Sequence, residues 1–294
     1  MSAVTTERTR HTEQDLNPPP SSYYTPLGDG AYEPTKHVQG AWDPREQHMG
    51  PVSGLIAHAI DEHEPRAGMQ LSRITYEILG MIPAERSAVS VRTIRPGRTI
   101  ELVEAALVAG GRTVVRASAW RLAAQQTAAV AGGMPDRLPA PETMPPWDGL
   151  RTWAGGFISS VEGRAASTNE PGRGQVWLRT DTTLVAGAEP SPTAAFLGLV
   201  DTANGVVVRA APGEWMFPNV DLTVHLFRQP VGGWVGLDTR VVFGADGVGL
   251  TSSSLHDIEG PVGRSEQILT VRRLPPTAEA RTRDKPWSAV PAQP

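Results

Sequence analysis

The chain has no cysteine. Disulfides, thiolate zinc sites and a cysteine nucleophile are therefore excluded. No stretch approaches the roughly 20 apolar residues of a membrane span. The N-terminus, "MSAVTTERTRHTEQDLNPPPSS", lacks the apolar core of a signal peptide. A cytoplasmic location is the expectation. Charge of one sign is not in excess either: 27 Lys and Arg face 31 Asp and Glu across 294 residues, for a net charge of −4. A basic nucleic-acid footprint is missing, so nucleic acid is not an expected partner. No P-loop is present and no G-x-G-x-x-G follows a strand. "GPVSG" lacks the G-x-S-x-G spacing of a nucleophile elbow.

What is present suits a globular protein: the apolar fraction is 39% and the charged fraction 20%. Residues 1–22 are polar with three consecutive prolines and read as a disordered tail, as do residues 275–294. A third break, rich in alanine, proline and glycine, covers 124–149 and reads as a linker. It separates two blocks of similar size, 23–123 and 150–274, which invites a search for an internal repeat.

The blocks match in order of elements. The first has a short extended run, "KHVQGAW", and an apolar helix, "GPVSGLIAHAIDEH". The alternating strands "LSRITYEIL", "ERSAVSVRTIRPG", "TIELVEAALVAGG" and "RTVVRASAWRL" follow. The second has "GQVWLRTD" and the helix "SPTAAFLGLVDTANG". Its strands are "NVDLTVHLFRQP", "GWVGLDTRVVFGADG", "GVGLTSSSLHDIEG" and "VGRSEQILTVRRL". One helix backed by consecutive antiparallel strands is an α+β design. Each helix is apolar on most faces, which predicts that the sheet wraps it.

Asp201 stands out in this pattern. It falls in the last turn of an apolar helix, where a carboxylate faces the negative end of the helix dipole at a cost of a few tenths of a kcal/mol to about 1. Aligning the blocks pairs Ile60 with Asp201, Leu71 with Asn219 and Val115 with Gln267. Three aliphatic positions of the first copy are thus polar in the second. Buried polar groups need partners, and three that converge can share a water.

The helix-in-a-sheet plan resembles the hot-dog fold, and two tandem copies resemble the double hot-dog of the acyl-CoA thioesterase II family. "LVDTANG", "NVDLTVHLFRQP" and "SSSLHDIEGPVGRSEQ" carry the resemblance, which spans roughly 23–274. It implies an acyl-CoA substrate, no cofactor and no metal. It also implies that Asp201, with Gln267 and Asn219, handles the attacking water. Asn219 stands where the family usually has Thr or Ser, but an amide can both donate and accept hydrogen bonds. Asp201 would act as general base or attack the thioester itself to give a mixed anhydride. Backbone N–H groups at the start of the first helix, "MGPVSG", are the candidate oxyanion hole. Gly50 would allow close approach of substrate, and His48 would contact substrate or cap the turn. Trp215 would line the acyl slot or pack the second helix. Hot-dog sheets often associate further, which makes a homo-oligomer an expectation with no sequence feature fixing its size.

Two other readings are open from sequence. One is a non-catalytic acyl-thioester binding module, because one fold hosts many functions. The other is an enoyl-thioester hydratase, which needs a His/Asp pair. His256 and Asp257 are adjacent and point to opposite faces of a strand. His58 and His63 in "HAIDEH" miss the i, i+4 spacing of a helical zinc motif.

Overall fold

The computed structural model describes residues 21–274. The predicted tails lie outside them except for Ser21 and Ser22. The first half contains the strands β1 (Ser22–Gly28) and β2 (Ala31–Pro34), then the helix α1 (Met49–Glu62). Four strands follow: β3 (Met69–Ile78), β4 (Ser87–Arg95), β5 (Ile100–Ala109) and β6 (Arg112–Ala123). The second half begins with a short helix, α2 (Gly156–Ser159), and the strands β7 (Val161–Ala165), β8 (Arg173–Thr180) and β9 (Thr183–Val185). The helices α3 (Pro192–Val200) and α4 (Ala203–Val206) come next, then the two-residue strand β10 (Trp215–Met216). The second half closes with β11 (Asp221–Leu226), β12 (Val235–Phe243), β13 (Val248–Asp257), β14 (Gly260–Thr270) and β15 (Arg272–Arg273).

Thirteen of the strands form one sheet, in the order β7-β8-β12-β13-β14-β11-β3-β6-β5-β4-β2-β1-β9. Alternation writes its two faces. In β5, Glu101, Val103, Ala105, Leu107 and Ala109 point inward and the residues between them outward. Gly110 and Gly111 turn β5 into β6 with φ of 57° and 74°, the left-handed pair that a tight hairpin requires. α1 is buried on nearly all sides, as its all-round apolar sequence predicts.

The two halves meet about a pseudo-two-fold axis. β3 and β11 pair antiparallel at the centre of the sheet, and Thr75 sits opposite Thr223 with their hydroxyls 3.2 Å apart. Beneath them α1 and α3 cross at glycines. A Cβ on Gly54 would lie 3.0 Å from Ala194 O and 3.1 Å from Gly198 Cα, so the backbones touch where a larger residue would part them. The crossing is antiparallel. The start of α1 lies beside the end of α3, and Asp61 near the end of α1 accepts a 2.5 Å bond from Ser191 Oγ at the start of α3.

These contacts refine the internal alignment. With Gly54 facing Gly198, Asp201 corresponds to Ala57 rather than Ile60. Thr75 pairs with Ser118 while Thr223 pairs with Glu266, so Gln267 corresponds to Ala119 rather than Val115. Leu71 keeps its match to Asn219. Ala57, Leu71 and Ala119 are all buried. The contrast between an apolar triplet and a polar one therefore survives the change of partners.

Two parts of the fold depart from expectation. The run "KHVQGAW" is not extended; Lys36–Val38 is a 3-10 turn capped by Thr35 Oγ1. The first half instead begins with the β1–β2 hairpin, whose turn Gly28-Asp29-Gly30 has positive φ throughout. β1 also pairs in parallel with β9, so the first half's N-terminal strand is stitched to the second half. The predicted linker is exposed over 124–137 but contains two 3-10 turns, and its Leu138 and Met144 are buried against Trp177 of β8.

Candidate active site

α3 starts at a Ser191 cap, whose Oγ accepts from Ala194 N, and stops at Val200. Thr202 turns its hydroxyl back to Leu199 O at 2.6 Å, and α4 begins one residue later. Asp201 sits in this break, 3% exposed. Asn219, just before β11, donates Nδ2–H to Asp201 Oδ1 at 2.8 Å. Gln267, inward-facing on β14 and fully buried, donates Nε2–H to the same oxygen at 3.0 Å. The three residues picked out by comparing the copies therefore meet at one oxygen atom.

The other carboxylate oxygen is differently placed. Oδ2 faces His48 Nδ1 at 3.6 Å. That nitrogen already accepts the Gly50 N–H at 2.9 Å, so it carries no proton to offer. Burial pushes the His48 pKa down to about 3, which keeps the ring neutral. The contact is accordingly not an ion pair. Gln267 Oε1 is also buried without a protein donor. Burial raises the Asp201 pKa from 3.8 to about 7, and the bonds from Asn219 and Gln267 pull the other way. A carboxyl poised near neutrality in a cleft has the profile of a general base.

The cleft is about 460 Å³ and runs between the halves. The first half supplies Trp42, Glu46, His48 and Met49 to its wall, and the second supplies Asp201 and Asn219. Met49 opens α1, where the first-turn N–H groups lack intrahelical partners. Glu46 was not foreseen. Burial, with Asp43 nearby, lifts its pKa to about 7.

Of the expected substrate contacts, Gly50 and Trp215 are not among the residues that line the cleft. Gly50 does not admit substrate: a Cβ there would lie 2.7 Å from the Phe157 ring and 2.8 Å from Gly198 O. Its missing side chain makes room for α2 and α3, and its N–H is spent on His48. Trp215 packs on the core, while its neighbour Met216 lines the cleft. Adjacent strand residues face opposite ways, so only one of the two can do so. The tryptophan at the cleft is Trp42, and Trp153 lines a smaller crevice beside it. No alternation marks either, and Trp153 stands in a glycine-rich stretch of undefined structure. His48 is the cap and also lines the cleft.

Asp257 and His256 do not form a dyad. Asp257 takes two bonds from the Arg228 guanidinium and further bonds from the N–H groups of Val231 and Glu259. His256 lies against the carbonyls of Ser254 and Asp136. A register shift between Leu255 and His256 buries both side chains. His58 and His63 face Glu62 and Thr93 respectively.

Two helices wrapped by one continuous sheet, with a buried carboxylate at the helix junction, define a double hot-dog protein. Comparison with known proteins supplies the family. The model of the acyl-CoA thioesterase N-terminal domain matches residues 38–122, and that of the C-terminal domain matches 135–271. The chain belongs to the acyl-CoA thioesterase family and is an enzyme, a thioester hydrolase. No curated protein matches it. Among solved structures it is similar to a protein described as a thioesterase II from Thermobifida fusca YX. That pair is 18% identical, with 86% of this chain and 96% of that chain covered and a TM-score of 0.67. It is also similar to an acyl-CoA thioesterase II, TesB2, from Mycobacterium marinum, with 17% identity, coverage of 85% and 95%, and a TM-score of 0.58. At these identities the structures bear on the fold alone. No helix among the described residues is long and apolar enough to cross a membrane.

Proposed function

We propose that hydrolysis of the acyl-CoA thioester takes place at Asp201, with Asn219 and Gln267 as positioning residues. The observation that carries this reading is the split use of the carboxylate. Oδ1 is held by two amide donors, while Oδ2 receives none and belongs to a residue that lines the cleft. In this reading Oδ2 takes a proton from water as the water attacks the thioester carbonyl. Gln267 Oε1 is a second acceptor for that water. As the carbonyl becomes an oxyanion, the N–H of Met49 supplies a donor at the positive end of the α1 dipole, since the Gly50 N–H is held by His48 and Pro51 has none. General-base assistance of this kind contributes about 10²- to 10⁴-fold.

Asn219 gives the test. A hydrogen bond to a charged group contributes about 1.5–3 kcal/mol. Asn219→Ala should therefore lower kcat/KM in a thiol-release assay by about 10- to 100-fold. It should also move the pH dependence to the alkaline side, because the lost bond is one that holds the Asp201 pKa down. Asn219→Thr returns a hydroxyl donor and should recover part of both effects. An Asn219→Ala enzyme with unchanged rate and unchanged pH profile would remove Asn219 from the assignment.

A further inference from the structure

The cleft has a back wall. A narrow crevice of about 30 Å³ is lined by Trp42, His48, Leu150, Trp153, Ile158 and Asn204. It shares Trp42, His48 and Asn204 with the cleft that holds Asp201. On its far side Leu150, Trp153 and Ile158 also line a wide groove of about 580 Å³, bordered by β7 and the segment that enters the second half. Trp153 therefore stands between the reaction cleft and an outer groove large enough for a long chain.

Trp153 is also fixed in place. Its indole N–H donates to Gly205 O at 3.0 Å, tying the ring to α4, about one turn of chain beyond Asp201. Trp42 packs edge-on against it at 4.9 Å between centroids, and Phe217 packs at 5.9 Å. Rings locked this way form a wall rather than a flap. A water needs about 10–15 Å³, so the crevice has room for about two waters, or an acyl tail of about two or three carbons beyond the carbonyl.

We infer that Trp153, backed by Leu150 and Ile158, sets the acyl-chain limit, and that the substrates are short-chain acyl-CoA thioesters. This rests on hydrolysis taking place at Asp201. The apolar crevice receives the acyl tail, and the open, more polar cleft receives the thiol side. The selectivity residues then come from the start of the second copy, ahead of β7, rather than from the sheet or from α1 and α3. A new passage would need no rearrangement of the sheet, because the groove is already present behind the indole.

The test is thiol release from straight-chain acyl-CoA thioesters of two to twelve carbons. The wild-type enzyme should favour acetyl- to butanoyl-CoA, with decanoyl-CoA at about a tenth or less in kcat/KM, since apolar pockets discriminate by about 10- to 200-fold per misfit. Trp153→Ala should raise the ratio of decanoyl to butanoyl kcat/KM by about tenfold or more. Trp153→Phe, which keeps a smaller aromatic filler and is the fallback if the alanine variant does not fold, should give an intermediate shift. Leu150→Phe should act in the opposite direction and penalise butanoyl more than acetyl. A wild-type profile flat from two to twelve carbons, or Trp153 variants whose profiles superimpose on it, would overturn the gate while leaving the thioesterase reading intact. Absence of thiol release at every chain length would instead overturn hydrolysis at this site, and the gate with it.

Discussion

Asp201→Asn is expected to lower kcat/KM for acyl-CoA hydrolysis by at least about 100-fold, the lower end of what a lost general base costs. The same variant should resist denaturant better than the wild type at pH 8. Asparagine keeps an Oδ1 acceptor for Asn219 and Gln267, so the geometry around that atom is retained. What it removes is a buried charge. The Asp201 pKa is about 7 in the fold against an ordinary 3.8, so the folded state holds the proton more tightly than the unfolded chain. A group raised in this way favours folding below its ordinary pKa, and that contribution is lost as pH rises through about 7. The loss amounts to about 4 kcal/mol at most, reached above pH 7, and asparagine escapes it. The first copy supports the same view, since Ala57 fills the corresponding helix position without loss of the helix. Activity would be read by thiol release and stability by urea titration at pH 5 and pH 8. A variant that loses activity because it has unfolded would mean that the carboxylate is structural.

The second large effect is expected far from the cleft. Glu101→Ala should cost about 3–5 kcal/mol, the usual penalty for breaking a buried ion pair by removing one partner. In a domain of this size that lowers the Tm by about 6–20 °C. Glu101 is 3% exposed on the inner face of β5 and bridges Arg121 of β6 and Arg66. Arg121 is itself 5% exposed and donates Nη1–H to Ile60 O and His63 O, the carbonyls that end α1. Without Glu101 a buried guanidinium is left with carbonyls alone. Replacing both partners, Glu101→Met with Arg121→Leu, should be less damaging than Glu101→Ala because no charge remains in the core. Calorimetry of the three proteins would decide the matter. A Glu101→Ala variant within about 1 kcal/mol of the wild type, the range of an exposed pair, would show that the bridge is not a buried one.

What sequence could reveal followed the physics of each feature. The helices and long strands were legible because their burial is periodic: β5 alternates over ten residues, and α1 is apolar all round. The site was legible for a different reason. Asp201, Asn219 and Gln267 are far apart in the chain, and only comparison with an apolar sister copy marks all three. Other features carry no periodic signal. The β1–β2 hairpin is short, with Pro26 inside it, and its clue was the turn Gly28-Asp29-Gly30 alone. Glu101 and Arg121 occupy inward positions that alternation assigns to apolar residues, and only their pairing makes that tenable. Gly50 was read as room for substrate because glycine permits close approach, but sequence does not say what approaches. Here it is Phe157 and α3. Trp153 lies just after the stretch read as a linker, and its place in the crevice beside the cleft follows from tertiary packing.

The dependence of kcat/KM on pH bears most directly on the role of Asp201. It reports ionisations of the free enzyme, and Asp201 must be unprotonated to accept the proton of water. Measured on the wild type between pH 5 and pH 9, kcat/KM should rise about tenfold per pH unit and level off above about pH 7. A profile flat across this range, or a limb breaking near the ordinary carboxylate pKa of 3.8, would contradict a reaction driven by the buried carboxylate of Asp201.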